Sequence, residues 1–202
     1  NEIGFHKSEA NPLLVKYVDD LSLTAGSRVF LPLCGKTLDI DWLLSRGYRV
    51  AGAELSAVAI EQLFADLGVP PTITKVGALN HYHAPQLDIF VGDIFQLTPA
   101  LLDSIDAVYD RAALVALPQD MRARYAAHLV TLTAHAPQLL ISFEYDQRAM
   151  DGPPFSVSQE EIRQHYGQRY DITILTSLDV PGGLKGRCPA TERVYLLRKG
   201  RR

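Results

Sequence analysis

The sequence predicts an α/β domain built on a mainly parallel sheet with helices on both faces. Three observations predict it. Short apolar runs of strand type alternate with amphipathic stretches along most of the chain. No internal repeat and no low-complexity linker interrupts that alternation. The 202 residues, 47% of them hydrophobic, fit one domain with a sizeable core.

A first helix is expected over Pro12 to Leu21, where Leu13, Leu14, Tyr17, Val18 and Leu21 recur at helical spacing behind Asn11 as a cap. Arg28 to Leu33 reads as a buried strand. Leu38 to Arg46 reads as a short helix ended by Gly47. Tyr48 to Leu55 is a second strand, and Ser56 caps a helix running to about Leu67. Thr72 to Val76 and Leu79 to His83 read as two short strands around a turn at Gly77, an inserted hairpin. Leu87 to Val91 is a third parallel strand and Ile105 to Tyr109 a fourth. Gln119 to His135 is a long amphipathic helix, and Gln138 to Phe143 a fifth strand. A loop rich in Gly and Pro follows, Asp151-Gly-Pro-Pro-Phe155. Ser158 and Glu161 then form a capping box for a helix to His165. Asp171 to Leu178 and Arg193 to Leu197 are two further strands with no helix between them, as in a terminal antiparallel hairpin. With the inserted hairpin set aside, this is a seven-stranded, mostly parallel sheet. By analogy of fold alone, this succession resembles that of a Rossmann-like class I methyltransferase, whereas a dinucleotide dehydrogenase more often continues βαβ after the fifth strand.

Charge and composition narrow the partners. Charged residues make up 21% and the net charge is -3, with an isoelectric point of about 6.1. A domain that binds a phosphate backbone is usually strongly basic, so no nucleic-acid partner is expected. The short basic tail from Arg198 to Arg202 reads as a solvated terminus. Two cysteines, Cys34 and Cys188, are too few for a disulfide framework, so a cytoplasmic location is expected. No apolar run approaches the ~20 residues of a membrane span, so no membrane partner is expected either. The chain starts at Asn1 with neither a methionine nor a signal-peptide pattern, which reads as a single domain, 1–202, with a trimmed N-terminus. Its length and acidity fit a monomer.

The most informative stretch is Leu31-Pro-Leu-Cys-Gly-Lys-Thr-Leu-Asp39, which follows the first strand and opens the first sheet helix. Open α/β sheets bind ligands outside the carboxyl ends of their strands near such a turn. Gly35, lacking Cβ, lets backbone approach a ligand closely. Glu54 stands nineteen residues beyond Gly35 at the end of the second strand, where a carboxylate accepts from both hydroxyls of a ribose. Asp93 follows the third strand. It is suited equally to an adenine amino group, with Ile94 packed on the ring, and to capping the next turn. Gly-Lys-Thr is not a P-loop, because the required glycine five residues before Gly35 is Phe30. A nicotinamide-binding loop prefers three glycines, and this loop has one.

Leu31-Pro-Leu-Cys-Gly-Lys-Thr, Gly52-Ala-Glu-Leu-Ser56, Asp110-Arg-Ala-Ala-Leu114, Gly152-Pro-Pro-Phe155 and Arg187-Cys188 occur in the order seen in thiopurine S-methyltransferases. The chain resembles that family from about residue 4 to 198. It is most similar to the bacterial branch, whose members are also linked to methylation of selenium and tellurium compounds. The resemblance implies S-adenosylmethionine as cofactor and S-adenosylhomocysteine as product. It places Leu33, Gly35, Glu54, Leu55, Asp93, Ile94 and Arg111 around or beside the cofactor, and Phe5, Arg111, Pro154, Phe155 and Arg187 around the substrate. Gly4-Phe-His6 resembles the segment that closes over the family's site. The family carries tryptophans before that segment. This sequence begins after them, and its one tryptophan is Trp42.

The chemistry implied is attack on a sulfonium methyl, for which the protein supplies alignment and electrostatics. An aromatic thiol is acidic enough to react as its thiolate, and a cationic surface favours that anion. Arg111, after the fourth strand, and Arg187, between the last two strands, are expected to face one mouth and to hold a flat anionic heterocycle. Asp110 is either a weak base or a group that orients Arg111. Pro153, Pro154 and Phe155 form a rigid apolar wall, or simply a turn. Cys34 reads as a small packed residue rather than a nucleophile. His81 and His83 can point to one side of a strand. With no carboxylate or cysteine spaced nearby to finish a zinc site, no metal is expected. The expected partner is a small aromatic thiol. The alternatives are a selenium or tellurium species at the same site, and a non-catalytic cofactor-binding protein.

Overall fold

Strands buried on both faces define the centre of the sheet, as parallel strands covered by helices require. In the computed structural model, which describes residues 10–200, β1 (Arg28–Pro32) is buried at every position. Beside it lie β2 (Arg49–Glu54) and β6 (Ala107–Arg111), each buried along most of its length. The inserted hairpin supplies β3 (Thr72–Val76) and β4 (Leu79–Ala84), followed directly by β5 (Leu87–Val91). β7 (Gln138–Tyr145), β8 (Tyr170–Asp179) and β9 (Ala190–Lys199) complete one sheet of order β3-β4-β5-β2-β1-β6-β7-β9-β8. The run β5-β2-β1-β6-β7 is parallel. Both flanking pairs are antiparallel. The seven expected strands are all present, and the inserted hairpin extends the same sheet rather than standing apart from it.

Alternate strand residues enter two cores. On one face α1 (Pro12–Tyr17), α2 (Asp39–Ser45) and α3 (Ala57–Leu67) pack Leu14, Ile40, Leu43, Ile60 and Phe64 on Val29, Leu31 and Val50. On the other, α4 (Pro99–Leu102), α5 (Gln119–Leu132) and α6 (Gln159–Tyr166) pack Leu102, Tyr125, Leu129, Ile162 and Tyr166 on Phe30, Val108 and Leu140. The chain winds from β1 toward β5, then returns to β6 and β7. The switch point therefore falls between β1 and β6. No helix of the described residues is long and apolar enough to cross a membrane.

Element ends depart from the sequence reading for local reasons. The first helix tightens into a 3-10 turn, Val18–Leu21, closed by Ser22 in the left-handed region. α5 stops at Leu132 because Ala134 and His135 both take positive φ. Ser158 accepts from Glu161 N at 3.1 Å, as a capping box requires. The Glu161 carboxylate, however, turns to Arg122 and His165 instead of reaching back. β6 starts at Ala107 and runs through Arg111, two residues further than expected, because it keeps pairing with β7 as far as Arg111 opposite Ile141.

Candidate active site

The carboxyl ends of β1, β2 and β5 are stitched together by backbone hydrogen bonds. Cys34 N donates to Ala53 O at 3.0 Å, and Gly92 N donates to Glu54 O at 2.8 Å. Leu33 and Gly35 both take positive φ, 47° and 53°, which folds the loop back over the end of β2. A Cβ on Gly35 would meet nothing within 4 Å, so the space above it is open. A Cβ on Gly52 would lie 2.7 Å from Ile89 Cδ1 and 2.9 Å from Cys34 Sγ. Glycine at that position is what lets Cys34 pack down. Burial, and then the nearby Glu54 charge, push the Cys34 thiol far above its ordinary range. Such a thiol is a packed apolar group, not a nucleophile.

Glu54 is the hinge of this loop. Its Oε2 accepts from Gly35 N at 2.8 Å, and its Oε1 accepts from Leu55 N and Ser56 N, each at 2.9 Å. Leu55 is a large apolar side chain left 71% exposed among the described residues. Asp93 is exposed. Its Oδ1 accepts from Phe95 N at 2.9 Å and caps the turn Ile94–Gln96. Ile94 is buried in the core on the α5 face.

Arg111 and Asp110, adjacent at the end of β6, face opposite sides of the sheet. Arg111 Nη1 lies 3.4 Å from Asp39 Oδ2, at the start of α2. Asp39 is buried and also accepts from Tyr109 OH at 3.1 Å and from Asn11 N at 2.7 Å. Burial first, then the Asp39 charge, hold the Tyr109 hydroxyl well above its ordinary range. Asp39 was not singled out from the sequence. The signal available was an acidic residue opening the helix at the end of the stretch already marked, Leu31 to Asp39. Asp110 does not orient Arg111. It is fully buried on the other face, accepting from Tyr125 OH at 2.8 Å and Leu114 N at 3.1 Å. Burial pushes its carboxyl up to about 6, against the opposing hydrogen bonds from Leu114, Tyr125 and Ala113. With both oxygens occupied inside the core, it has no route to a substrate.

The Gly-Pro-Pro-Phe loop and the loop carrying Arg187 meet beside the end of β7, where Tyr145 pairs with Ala190. Lys185 Nζ donates to Pro153 O at 2.7 Å, and Tyr145 OH donates to Pro154 O at 2.7 Å. Phe155 N donates to Val115 O at 2.6 Å, and the Arg122 guanidinium sits 5.9 Å from the Phe155 ring centre. Arg187 is exposed on the rim of an open cleft of ≈ 510 Å³ that Glu144, Asp179, Cys188 and Thr191 also line. Arg111 does not line that cleft. Arg111 ends β6, and Arg187 sits in the loop that leads into β9. Phe5 and His6 lie outside the described residues.

Known proteins match this chain over almost its whole length. The family model described as thiopurine S-methyltransferase (TPMT) matches residues 1–199. A thiopurine S-methyltransferase from Xanthobacter autotrophicus is 60% identical over 196 residues, covering 97% of this chain and 92% of that protein. One from Gluconobacter oxydans is 51% identical, covering 96% and 88%. Among solved structures, a SAM-dependent methyltransferase from Methanosarcina mazei has a TM-score of 0.67 at 14% identity, covering 96% of this chain and 100% of that one. The magnesium protoporphyrin IX methyltransferase of Synechocystis, solved with bound SAH, has a TM-score of 0.62 at 15% identity, covering 93% and 80%.

Proposed function

The chain belongs to the thiopurine S-methyltransferase family, and from that premise we propose that it transfers the methyl group of S-adenosylmethionine to the sulfur of aromatic or heterocyclic thiols. The observation that carries this reading is Arg111. It is a permanent cation at the end of the strand beside the switch point, and the buried carboxylate of Asp39 aims it.

The strand ends fit the cofactor. Gly35 leaves open space above the loop, Leu55 offers an exposed apolar side chain beside Glu54, and Asp93 is exposed at the next strand end. A carboxylate has about four acceptor sites, and three backbone N–H groups already use Glu54. Holding a ribose diol there therefore requires at least one of them to yield, and the Gly35 contact, on the opposite oxygen from the other two, is the one we assign to yield. Leu33, Leu55 and Ile94 would border the cofactor. When bound, S-adenosylmethionine supplies an electrophilic methyl on sulfonium and leaves as the neutral thioether.

The protein's own part is to favour the anionic form of the thiol and to hold it. Arg111 lowers the energy of a thiolate placed beside it, so no strong base is needed. Arg187 and the Pro154–Phe155 wall would bound the flat ring on the far side. With two cysteines, both free and buried, we read the chain as cytoplasmic, and its length and acidity fit a monomer. Selenium or tellurium nucleophiles, softer than sulfur, fall to the same site by the same chemistry.

The test is methyl transfer from labelled S-adenosylmethionine to a panel of aromatic thiols, with a selenol alongside. One S-adenosylhomocysteine formed per methylthioether supports the reading. Cofactor binding with no transfer to any member of the panel would overturn this reading and favour the non-catalytic alternative.

A further inference from the structure

At the end of the sheet away from the candidate active site, β4 and β5 bring two imidazoles onto one carboxylate. His83 lies directly opposite Asp88 in the antiparallel pair, and His81 stands two residues along on the same face. His81 Nε2 and His83 Nδ1 each lie 2.8 Å from Asp88 Oδ1. The candidate ligand atoms of all three residues lie within 4.8 Å of one another. The sequence reading expected no metal because it saw no carboxylate spaced to complete a site. Strand pairing supplies that carboxylate, across the turn between β4 and β5.

We propose that His81, His83 and Asp88 form a three-ligand site for a divalent ion of the zinc class. Water completes the coordination. Two imidazoles and a carboxylate are a donor set suited to zinc and its neighbours. Ligand bonds of about 2.0–2.2 Å set tetrahedral ligand atoms roughly 3.3 Å apart. The two nitrogen–oxygen spacings, 2.8 Å each, need to open by about half an ångström, and the nitrogen–nitrogen spacing, at most 4.8 Å, is to settle at the same value, both by side-chain torsions. The His83 side chain is 56% exposed, which gives the ion an entry path. On binding, each imidazole presents a bare nitrogen to the ion. Its proton moves to the other ring nitrogen or leaves to solvent.

The surroundings hold the ligands in place. Arg28 Nη2 donates to Asp88 Oδ2 at 2.7 Å, leaving Oδ1 as a monodentate ligand. Arg28 is itself buried and bonded to Leu102 O. The His81 ring stacks on Phe90 with centres 4.6 Å apart and planes 8° apart. The guanidinium charge weakens binding relative to a closed structural zinc centre. The site therefore acts as a clip that fastens the inserted hairpin to the sheet, not as an obligate folding centre.

The experiment titrates Zn²⁺, and separately Co²⁺, onto the chelator-treated chain, followed by calorimetry and by cobalt absorption. One ion per chain is expected, together with a visible cobalt spectrum of four-coordinate type. Affinity falls about tenfold or more in His83→Ala and in His81→Ala, and is unchanged in His6→Ala. Circular dichroism checks that each variant is folded, and His83→Gln serves where His83→Ala is not. Absence of saturable binding, or equal affinity in wild type and His83 variants, overturns the proposal and leaves a hydrogen-bonded cluster.

Discussion

Arg111 and Asp39, seventy-two residues apart, meet with Nη1 and Oδ2 at 3.4 Å. The carboxylate is buried, and the guanidinium side chain is 35% exposed. This asymmetry fits a cation anchored from below and free to act above. Asp39→Asn keeps the shape and removes the charge. Turnover of aromatic thiols is expected to fall about tenfold in kcat/KM, corresponding to roughly 1.4 kcal/mol, with S-adenosylmethionine affinity changed little. Asp39→Ala also strands Asn11 N and Tyr109 OH and is expected to cost about 2–3 kcal/mol of stability in urea unfolding. Equal kinetics in Asp39→Asn and wild type would remove Asp39 from any positioning role.

Replacing both Arg111 and Arg187 by alanine is expected to reduce thiol methylation by about a hundredfold or more while cofactor affinity stays within a few fold. Lysine at position 111 is not expected to restore activity, because a point charge lacks the planar fork and stacking surface of guanidinium. Steady-state kinetics beside calorimetry separate the two effects. Undiminished turnover in the double variant contradicts the role given to the pair.

Asp110 makes a pH prediction whose sign is opposite to that of an ordinary paired carboxylate. Its pKa is raised from 3.8 to about 6 in the folded chain, mainly by burial. Between those values the folded state holds a proton that the unfolded state has released. This group's contribution to stability is therefore greatest below its unfolded pKa and falls as pH rises to about 6, where it levels off. Urea unfolding of wild type and Asp110→Asn across that window is expected to show the decline in wild type and its loss in the variant. Parallel profiles would contradict the assignment.

Gly52 carries a packing prediction. In Gly52→Ala the new methyl meets Ile89 Cδ1 at 2.7 Å and Cys34 Sγ at 2.9 Å. About 1–3 kcal/mol of stability is expected to be lost, and cofactor binding weakened as the Cys34 loop is lifted. Adding Cys34→Ala should recover part of both, which a thermal melt and a binding titration on the double variant read directly. No recovery would show that the Ile89 contact alone sets the cost.

How far these features were legible in the sequence follows from how local they are. Gly35 and Glu54 could be read from spacing, because a strand end followed by a tight turn writes itself into a short stretch of chain. Asp110 was misread because the fourth strand was ended at Tyr109. Once β6 runs through Arg111, alternation sends Asp110 and Arg111 to opposite faces. The Asp39–Arg111 contact and the His81–His83–Asp88 cluster depend on which elements become neighbours. The latter also depends on the register that sets His83 opposite Asp88, and no local pattern encodes that. Arg111 and Arg187 were expected to face one mouth, but no local pattern shows that the cleft bordered by Arg187 is lined by Glu144, Asp179 and Thr191 and not by Arg111.

The most direct test of the central claim is calorimetric titration of S-adenosylmethionine and S-adenosylhomocysteine into wild type and Glu54→Ala. Saturable binding of both by wild type, weakened about tenfold or more when two ribose hydrogen bonds to a charged acceptor are lost, is the predicted result. Failure of wild type to bind either molecule, or identical affinity in Glu54→Ala, would contradict the account of the strand ends as the cofactor site.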